Sequence, residues 1–185
     1  GGAGFIGSRF AKLCIEKGHN IKIIDKMTYA ANMDRLDVNL GSIILHEKDI
    51  CDVDHNDILH ADYIVNFAAE THVDNSIKDG KPFIRSNVEG VFNLIEQSRK
   101  IGVKKFIQIS TDEVYGDILE GESKETDSIK PSSYYSATKA SADMLVLSAH
   151  RTYGLPYIIT RTCNNFGPGQ HEEKFVPKII KCLEN

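Results

Sequence analysis

Short apolar runs alternate with stretches of helical spacing along this chain, and that alternation leaves few folds open. Residues 21–24, 43–45, 63–67, 106–109 and 157–159 read as buried strands, while 8–17, 53–59, 82–100 and 133–153 read as helices. Strands that are apolar on both faces and separated by helices predict an α/β fold with a doubly wound parallel sheet. Pro82 suits the first turn of its helix, where its missing N–H leaves no intrahelical bond unmade. Gly18 and Gly154 stand where a left-handed C-terminal cap ends a helix. The polar stretch 116–132, with Gly121 and Pro131, reads as a surface loop.

Composition narrows the function classes. The 185 residues suffice for one domain with a sizeable core, and 41% apolar with 26% charged residues is ordinary for a globular protein. A net charge of −4 and no basic run longer than Lys104-Lys105 argue against nucleic-acid binding. No apolar run approaches a membrane span. Cys14, Cys51, Cys163 and Cys182 are scattered, with no Cys-x-x-Cys pair, so reduced thiols and a cytoplasmic location are expected rather than disulfides or zinc. His171-Glu172-Glu173-Lys174 lacks the second histidine of a zinc motif. The chain opens on a glycine loop and closes at 183–185 within a helical pattern, which reads as a fragment lacking a first strand and most of a C-terminal substrate domain.

That opening loop is the first candidate site. Gly1, Gly4 and Gly7 form a Gly-x-x-Gly-x-x-Gly pattern leading into a helix, where backbone N–H groups can approach a pyrophosphate at the helix's positive end. Asp25 follows the 21–24 strand, 18 residues after Gly7, at the place where an acid grips a ribose 2′-hydroxyl. A carboxylate there repels a 2′-phosphate, which favours NAD over NADP. Together these features predict a Rossmann-type sheet. Asp49-Ile50 and Ala68-Ala69 follow later strands, at the carboxyl ends where open α/β sheets bind ligands.

The second candidate site is catalytic. Tyr135 and Lys139 are one helical turn apart on one face. A free phenol titrates near 10, and a nearby ammonium together with an oxidised nicotinamide would favour its phenolate, making it a base for a sugar hydroxyl. Thr111, at the end of the strand that the 106–109 run begins, could hydrogen-bond the same hydroxyl. Asp112 and Glu113 follow at once. Two carboxyls near one substrate repel, so one stays protonated while the other ionises, giving an acid and a base suited to eliminating water.

Motifs extend this reading. Gly-Gly-Ala-Gly-Phe-Ile-Gly-Ser at 1–8, Asp-Lys-Met-Thr-Tyr-Ala at 25–30, Asn-Phe-Ala-Ala-Glu-Thr-His-Val-Asp at 66–74, Thr-Asp-Glu-Val-Tyr-Gly at 111–116, Tyr-Ser-Ala-Thr-Lys-Ala-Ser at 135–141 and Asn-Asn-Phe-Gly-Pro at 164–168 occur in this order. Over its whole length the chain resembles the dTDP-glucose 4,6-dehydratases, which are extended short-chain dehydrogenase/reductases. The resemblance implies tightly held NAD, Tyr135 as base at sugar carbon 4, Glu113 as base at carbon 5, and Asp112 as acid for the hydroxyl leaving carbon 6. Hydride would pass from carbon 4 to NAD and back to carbon 6, giving a 4-keto-6-deoxy sugar.

By the same resemblance, Phe5, Ile6, Asp25, Lys26, Met27, Thr28, Asp49, Ile50, Ala68, Ala69, Ser86, Lys139 and Asn165 would line the NAD. Thr71, Thr111, Asn164 and the segment from Lys174 would face the nucleotide-sugar. His72 falls in the substrate-side loop, with no proton-transfer role. Tyr134 and Phe166 replace the family's common Pro and Tyr, and Glu172 replaces the Pro of a Pro-Glu-Lys motif. The last change bears on which nucleotide is preferred, dTDP-glucose or UDP-glucose, rather than on reaction type. The expected division is residues 1–165 for NAD binding with the catalytic residues, and 166–185 for the start of the substrate region. A homodimer through helices 82–100 and 133–153 is also implied. The rivals are a 4-epimerase or UDP-glucuronate decarboxylase, which would need no Asp112, and a non-catalytic NAD-binding module, which would be expected to lack Tyr135, Lys139 or Glu113.

Overall fold

The computed structural model describes residues 1–36 and 43–183. These pack as two compact units, residues 1–47 with 164–185, and residues 48–163.

In the first unit, α1 (Phe5–Glu16) leads to β1 (Ile21–Asp25), a 3₁₀ turn (Met33–Leu36) and β2 (Ile43–Glu47). β1 and β2 run parallel, Ile21 opposite Ile43 through Asp25 opposite Glu47. Ala11, Ile23 and Leu36 are buried together, with Ile21, Met33 and Ile43 packed on them. α1 begins three residues earlier than the apolar pattern implied, because Gly4 takes the extended cap conformation and its carbonyl already accepts the Ser8 N–H. Gly18 closes it at φ +80°, with the Gly18 and His19 N–H groups returning to the Ile15 and Cys14 carbonyls. α6 (Phe175–Leu183) also belongs here, and the final residues 184–185 lie outside the described residues.

The second unit carries β3 (Tyr63–Asn66), β4 (Lys105–Thr111) and β5 (Tyr157–Thr162), all parallel in the order β3-β4-β5. Between β3 and β4 lie a short helix α2 (Val73–Lys78) and one long helical run. That run is α3 (Lys81–Ile84), a π segment (Arg85–Glu89) and α4 (Gly90–Ile101). Pro82 sits in its first turn, as expected. After β4 come a 3₁₀ turn (Asp112–Tyr115), the irregular loop 116–132 and α5 (Tyr134–Tyr153), which packs against α4, β4 and β5. Gly154 ends α5 at φ +75°, the left-handed cap that the sequence indicated.

The helix expected over 53–59 is absent. Asp57 Oδ2 accepts the Asp54 N–H, Asp54 Oδ1 accepts the Asn56 N–H, and the backbone bonds run Asp57 N–H to the Asp54 carbonyl and Leu59 N–H to the Asn56 carbonyl, so the segment is a series of consecutive turns pinned by acidic side chains. Val53 and Ile58 are nonetheless buried.

The start of α5 is fixed by a reciprocal cap. Ser133 Oγ accepts the Ser136 N–H at 3.1 Å, and Ser136 Oγ accepts the Ser133 N–H at 3.0 Å. Ser133→Ala removes one half of this box, and a loss of about 1 kcal/mol in stability is expected from urea unfolding of the intact gene product. An unchanged midpoint would contradict the capping role.

Candidate active site

The glycine loop and its acid lie in the first unit. A Cβ on Gly7 would come within 2.2 Å of the Gly1 carbonyl oxygen, so the loop closes on itself only with glycine there. A Cβ on Gly4 would meet only that same oxygen, at 3.5 Å. Gly4 is therefore not demanded by packing within the loop, and its bare backbone suits the close approach of a pyrophosphate. Asp25 is buried at the end of β1, accepting the Ala3 N–H at 3.0 Å and the Met27 N–H at 2.9 Å. Its carboxylate thus ties the loop to the strand while two oxygens with further lone pairs remain suited to ribose hydroxyls. Met27 adopts φ +52°, uncommon for a side-chain-bearing residue, and turns the chain sharply between exposed Lys26 and half-buried Thr28. Asn164 and Asn165 are exposed here, and the Asn165 carbonyl accepts from Gln170 Nε2 at 2.9 Å. Lys174, half-buried, follows a turn closed by its N–H on the His171 carbonyl. A pocket of about 550 Å³ in this unit joins Asn32, Asp34 and Arg35 to Gly169–Glu172, of which the sequence pointed only to Glu172, as bearing on nucleotide preference.

In the second unit the other cofactor-side residues gather at strand ends. Asn66 is paired across the sheet with Gln108, its Nδ2 donating to Gln108 Oε1 at 3.0 Å, while its Oδ1 accepts the Ala68 N–H. This buried amide pair orients the Ala68-Ala69 turn. Asp49 Oδ1 accepts the Cys51 N–H, and Ile50 is buried. Ser86 and Asn87 are both buried in the π segment. Asn87 Nδ2 donates to the Glu70 carbonyl and to Thr138 Oγ1, both at 3.0 Å, and its Oδ1 accepts the Glu70 N–H at 2.9 Å. One side chain therefore fastens the loop after β3 to α5, just before exposed Thr71. Asn87 escaped the sequence reading. Its only signal there was a poor helix former inside a long helical pattern.

The five candidate catalytic residues come together in this unit. β4 ends at buried Thr111, whose Oγ1 accepts the Glu113 N–H and caps the 3₁₀ turn carrying Asp112 and Glu113. Tyr135 and Lys139 emerge from the capped end of α5, 9% and 5% exposed. The Tyr135 ring meets Phe83 edge-on, centroids 6.4 Å apart. Lys139 Nζ donates to the Ile109 carbonyl at 2.5 Å, anchoring the helix to β4.

Electrostatics here depart from the simplest expectation. Burial, then the Glu113 charge, pushes the Tyr135 phenol up to about 12, although the Thr111 hydroxyl beside it pulls the other way. Burial pulls the Lys139 amine down to about 8, with the Asp143 charge resisting. The Lys139 Nζ itself donates to the Ile109 carbonyl. The protein's own groups thus hold Tyr135 as a protonated acid. On the far side of the turn, a hydrogen bond to the Asp112 carboxylate raises the exposed Cys163 thiol, which sequence reading had passed over as a scattered cysteine.

Comparison with known proteins follows the same lines. The family model described as NAD dependent epimerase/dehydratase matches residues 1–185. The low-salt glycan biosynthesis protein Agl12 of Haloferax volcanii is 46% identical, over 100% of this chain and 61% of its own length. The dTDP-glucose 4,6-dehydratase of Streptomyces griseus is 39% identical, over 99% and 58%. The structure of DesIV, a dTDP-glucose 4,6-dehydratase from Streptomyces venezuelae with NAD and dTDP bound, superimposes with a TM-score of 0.95 at 39% identity, over 100% of this chain and 60% of that one. The fold is accordingly Rossmann-like, and the chain spans about 60% of the length of these relatives. Among the described residues no helix is long and apolar enough to cross a membrane. A glycine loop answered by a strand-end aspartate, and a tyrosine–lysine pair facing a capped acidic turn, agree with the match along all 185 residues: the chain belongs to the NAD dependent epimerase/dehydratase family.

Proposed function

We propose that this protein is a nucleotide-sugar 4,6-dehydratase acting on dTDP-glucose in preference to UDP-glucose. The observation that carries the reading is the Thr111-Asp112-Glu113 turn, which sets two carboxyls beside the Tyr135 phenol. The names of the S. griseus and DesIV relatives support it. Residues 1–165 would form the NAD-binding part with the catalytic groups, and 166–185 the start of the substrate part. Gly1, Gly4, Phe5, Ile6 and Gly7 would hold the pyrophosphate and Asp25 the ribose. Thr71, Asn164 and Lys174 would face the nucleotide-sugar. Two copies would pair through the helical run 81–101 and α5, whose outer surfaces leave Phe92, Met144 and Tyr153 exposed.

When bound, NAD supplies a hydride acceptor and donor and, while oxidised, the positive charge that favours a phenolate. Tyr135, so ionised, takes the proton of the hydroxyl at sugar carbon 4, with Thr111 aligning that hydroxyl. Glu113 then takes the proton from carbon 5, now acidified by the neighbouring ketone. Asp112 gives its proton to the hydroxyl on carbon 6 as the C–O bond breaks, and water leaves. Each of these residues moves one proton at a named atom, the hydride being left to the cofactor, which is what positioned acids and bases do best. An epimerase or decarboxylase would employ Tyr135 and Lys139 but leave Asp112 without a task.

Mass spectrometry on the intact gene product tests this directly. Loss of one water from dTDP-glucose, faster than from UDP-glucose, is expected; an unchanged mass with an inverted hydroxyl would replace the dehydratase by an epimerase. Asp112→Asn should slow water loss by about a hundredfold or more, and wild-type turnover in that variant would remove Asp112 from its role. A further expectation concerns pH. The Lys139 amine loses its proton as pH rises through about 8, and with it goes the positive charge one helical turn from Tyr135 that favours the phenolate, so kcat should fall above that value. Lys139→Arg keeps the cation at every pH and should lack that descending limb, whatever activity it retains.

A further inference from the structure

Arg161, on β5, is the cation at the centre of a part-buried cluster that the proton transfers above do not use. Its Nε donates to Asp143 Oδ2 at 2.9 Å, and its Nη1 donates to the Tyr115 hydroxyl at 2.8 Å and to the Glu125 carbonyl at 3.3 Å. The guanidinium carbon stands 5.1 Å from the Tyr115 ring centroid. One planar group therefore joins helix α5, the turn after β4 and the following loop. Asp143 has no exposed surface and lies one helical turn beyond Lys139, whereas Tyr115 is two residues beyond Glu113 on the turn. Two residues further on, just past the end of β5, the chain meets the turn again through Cys163 and Asp112. The turn's other end is closed by the Lys130 N–H on the Val114 carbonyl at 2.9 Å. Beside it Gly116, at φ +81°, lets the Lys130 carbonyl approach where a Cβ would come within 2.2 Å.

We propose that Tyr115, Arg161 and Asp143 form a positioning brace that sets the Asp112–Glu113 turn against the end of α5 bearing Tyr135 and Lys139. The proposal rests on the reading that both carboxyls act on a sugar. None of the three residues touches the reacting atoms. Their work is to hold an acid and a base, carried on a four-residue turn, at a fixed offset from a phenol on a separate helix. A misplacement of about 1 Å at such groups costs about a hundredfold in rate, so a turn held only by its own backbone would serve poorly. The fork of an arginine is suited to this, because it reaches two partners in one plane, which a lysine cannot do.

The test uses Tyr115→Phe, which removes one hydroxyl and keeps the ring, and Arg161→Lys, which keeps the charge and removes the fork. In the intact gene product both should lower kcat about tenfold or more, the scale of one lost charge-assisted hydrogen bond, with KM for the nucleotide-sugar unchanged. Amide hydrogen exchange should quicken by a similar factor at residues 112–116 and stay unchanged along β4 and α5 in Tyr115→Phe. Asp143→Asn, a same-shape variant, should act in the same direction. Wild-type exchange at 112–116 in Tyr115→Phe overturns the brace, whether or not kcat falls, and so does Arg161→Lys with wild-type kcat and exchange. Absence of water loss by the wild-type protein would overturn the dehydratase reading instead, and the exchange comparison would still decide the brace.

Discussion

A carboxylate with no exposed surface must be met by a cation, and in this protein the requirement falls on Asp143. Burial raises its pKa, and Arg161, with the Ser110 hydroxyl alongside, draws it back. The pair is not there for raw stability, since the desolvation of two charges offsets most of their attraction. Removing one partner is another matter: an orphaned charge at this depth costs about 3–5 kcal/mol. The consequence is rigidity of geometry. β5 and α5 cannot slide past one another without separating a guanidinium from a buried carboxylate, and the turn after β4 is tied to the same guanidinium through the Tyr115 hydroxyl. Even so the cluster is not saturated, for Asp143 Oδ1 and the buried Ser110 Oγ make no well-formed hydrogen bond among the described residues.

The same burial governs the candidate catalytic pair. Tyr135 and Lys139 titrate on the wrong sides of their ordinary values for a preformed phenolate and ammonium, the phenol upward and the amine downward. Both shifts have desolvation as their largest cause, and both disfavour charge until an opposite charge arrives. A site built this way is quiet when empty of substrate chemistry, because its base is protonated. Its acid–base function then depends on charges brought by what binds, which ties proton transfer to the presence of the right partner.

What could be read from the sequence follows from locality. The helix bearing Tyr135 and Lys139 was legible because a one-turn spacing and a closing Gly154 are local facts. The strands were legible because their apolar runs are short and bounded. The 53–59 segment misled, since its apolar spacing resembled a helix while the Asp54 and Asp57 side chains pin a series of tighter turns. α2, six residues long, had too few positions to display a period. Arg161 and Asp143 were invisible as a pair because only the fold brings β5 onto α5. The depressed amine of Lys139 was unreadable for the same reason, depth being a property of packing and not of order along the chain.

The helical run from Lys81 to Ile101 has an outcome of its own. Its π segment contains one more residue than regular winding would need, and each residue turns an α-helix by about 100°. The faces presented by Lys81–Ile84 and by Gly90–Ile101 are thus set by a length, not by the identity of any side chain. Substitutions on the outer surface of this helix should be absorbed over evolutionary time. A single-residue deletion between Arg85 and Glu89 would regularise the winding and swing Asn87 away from the loop and helix it joins. This stretch is open to changes of letter and closed to changes of spacing, and relatives that keep the loop after β3 docked on α5 should conserve its residue count more strictly than its composition.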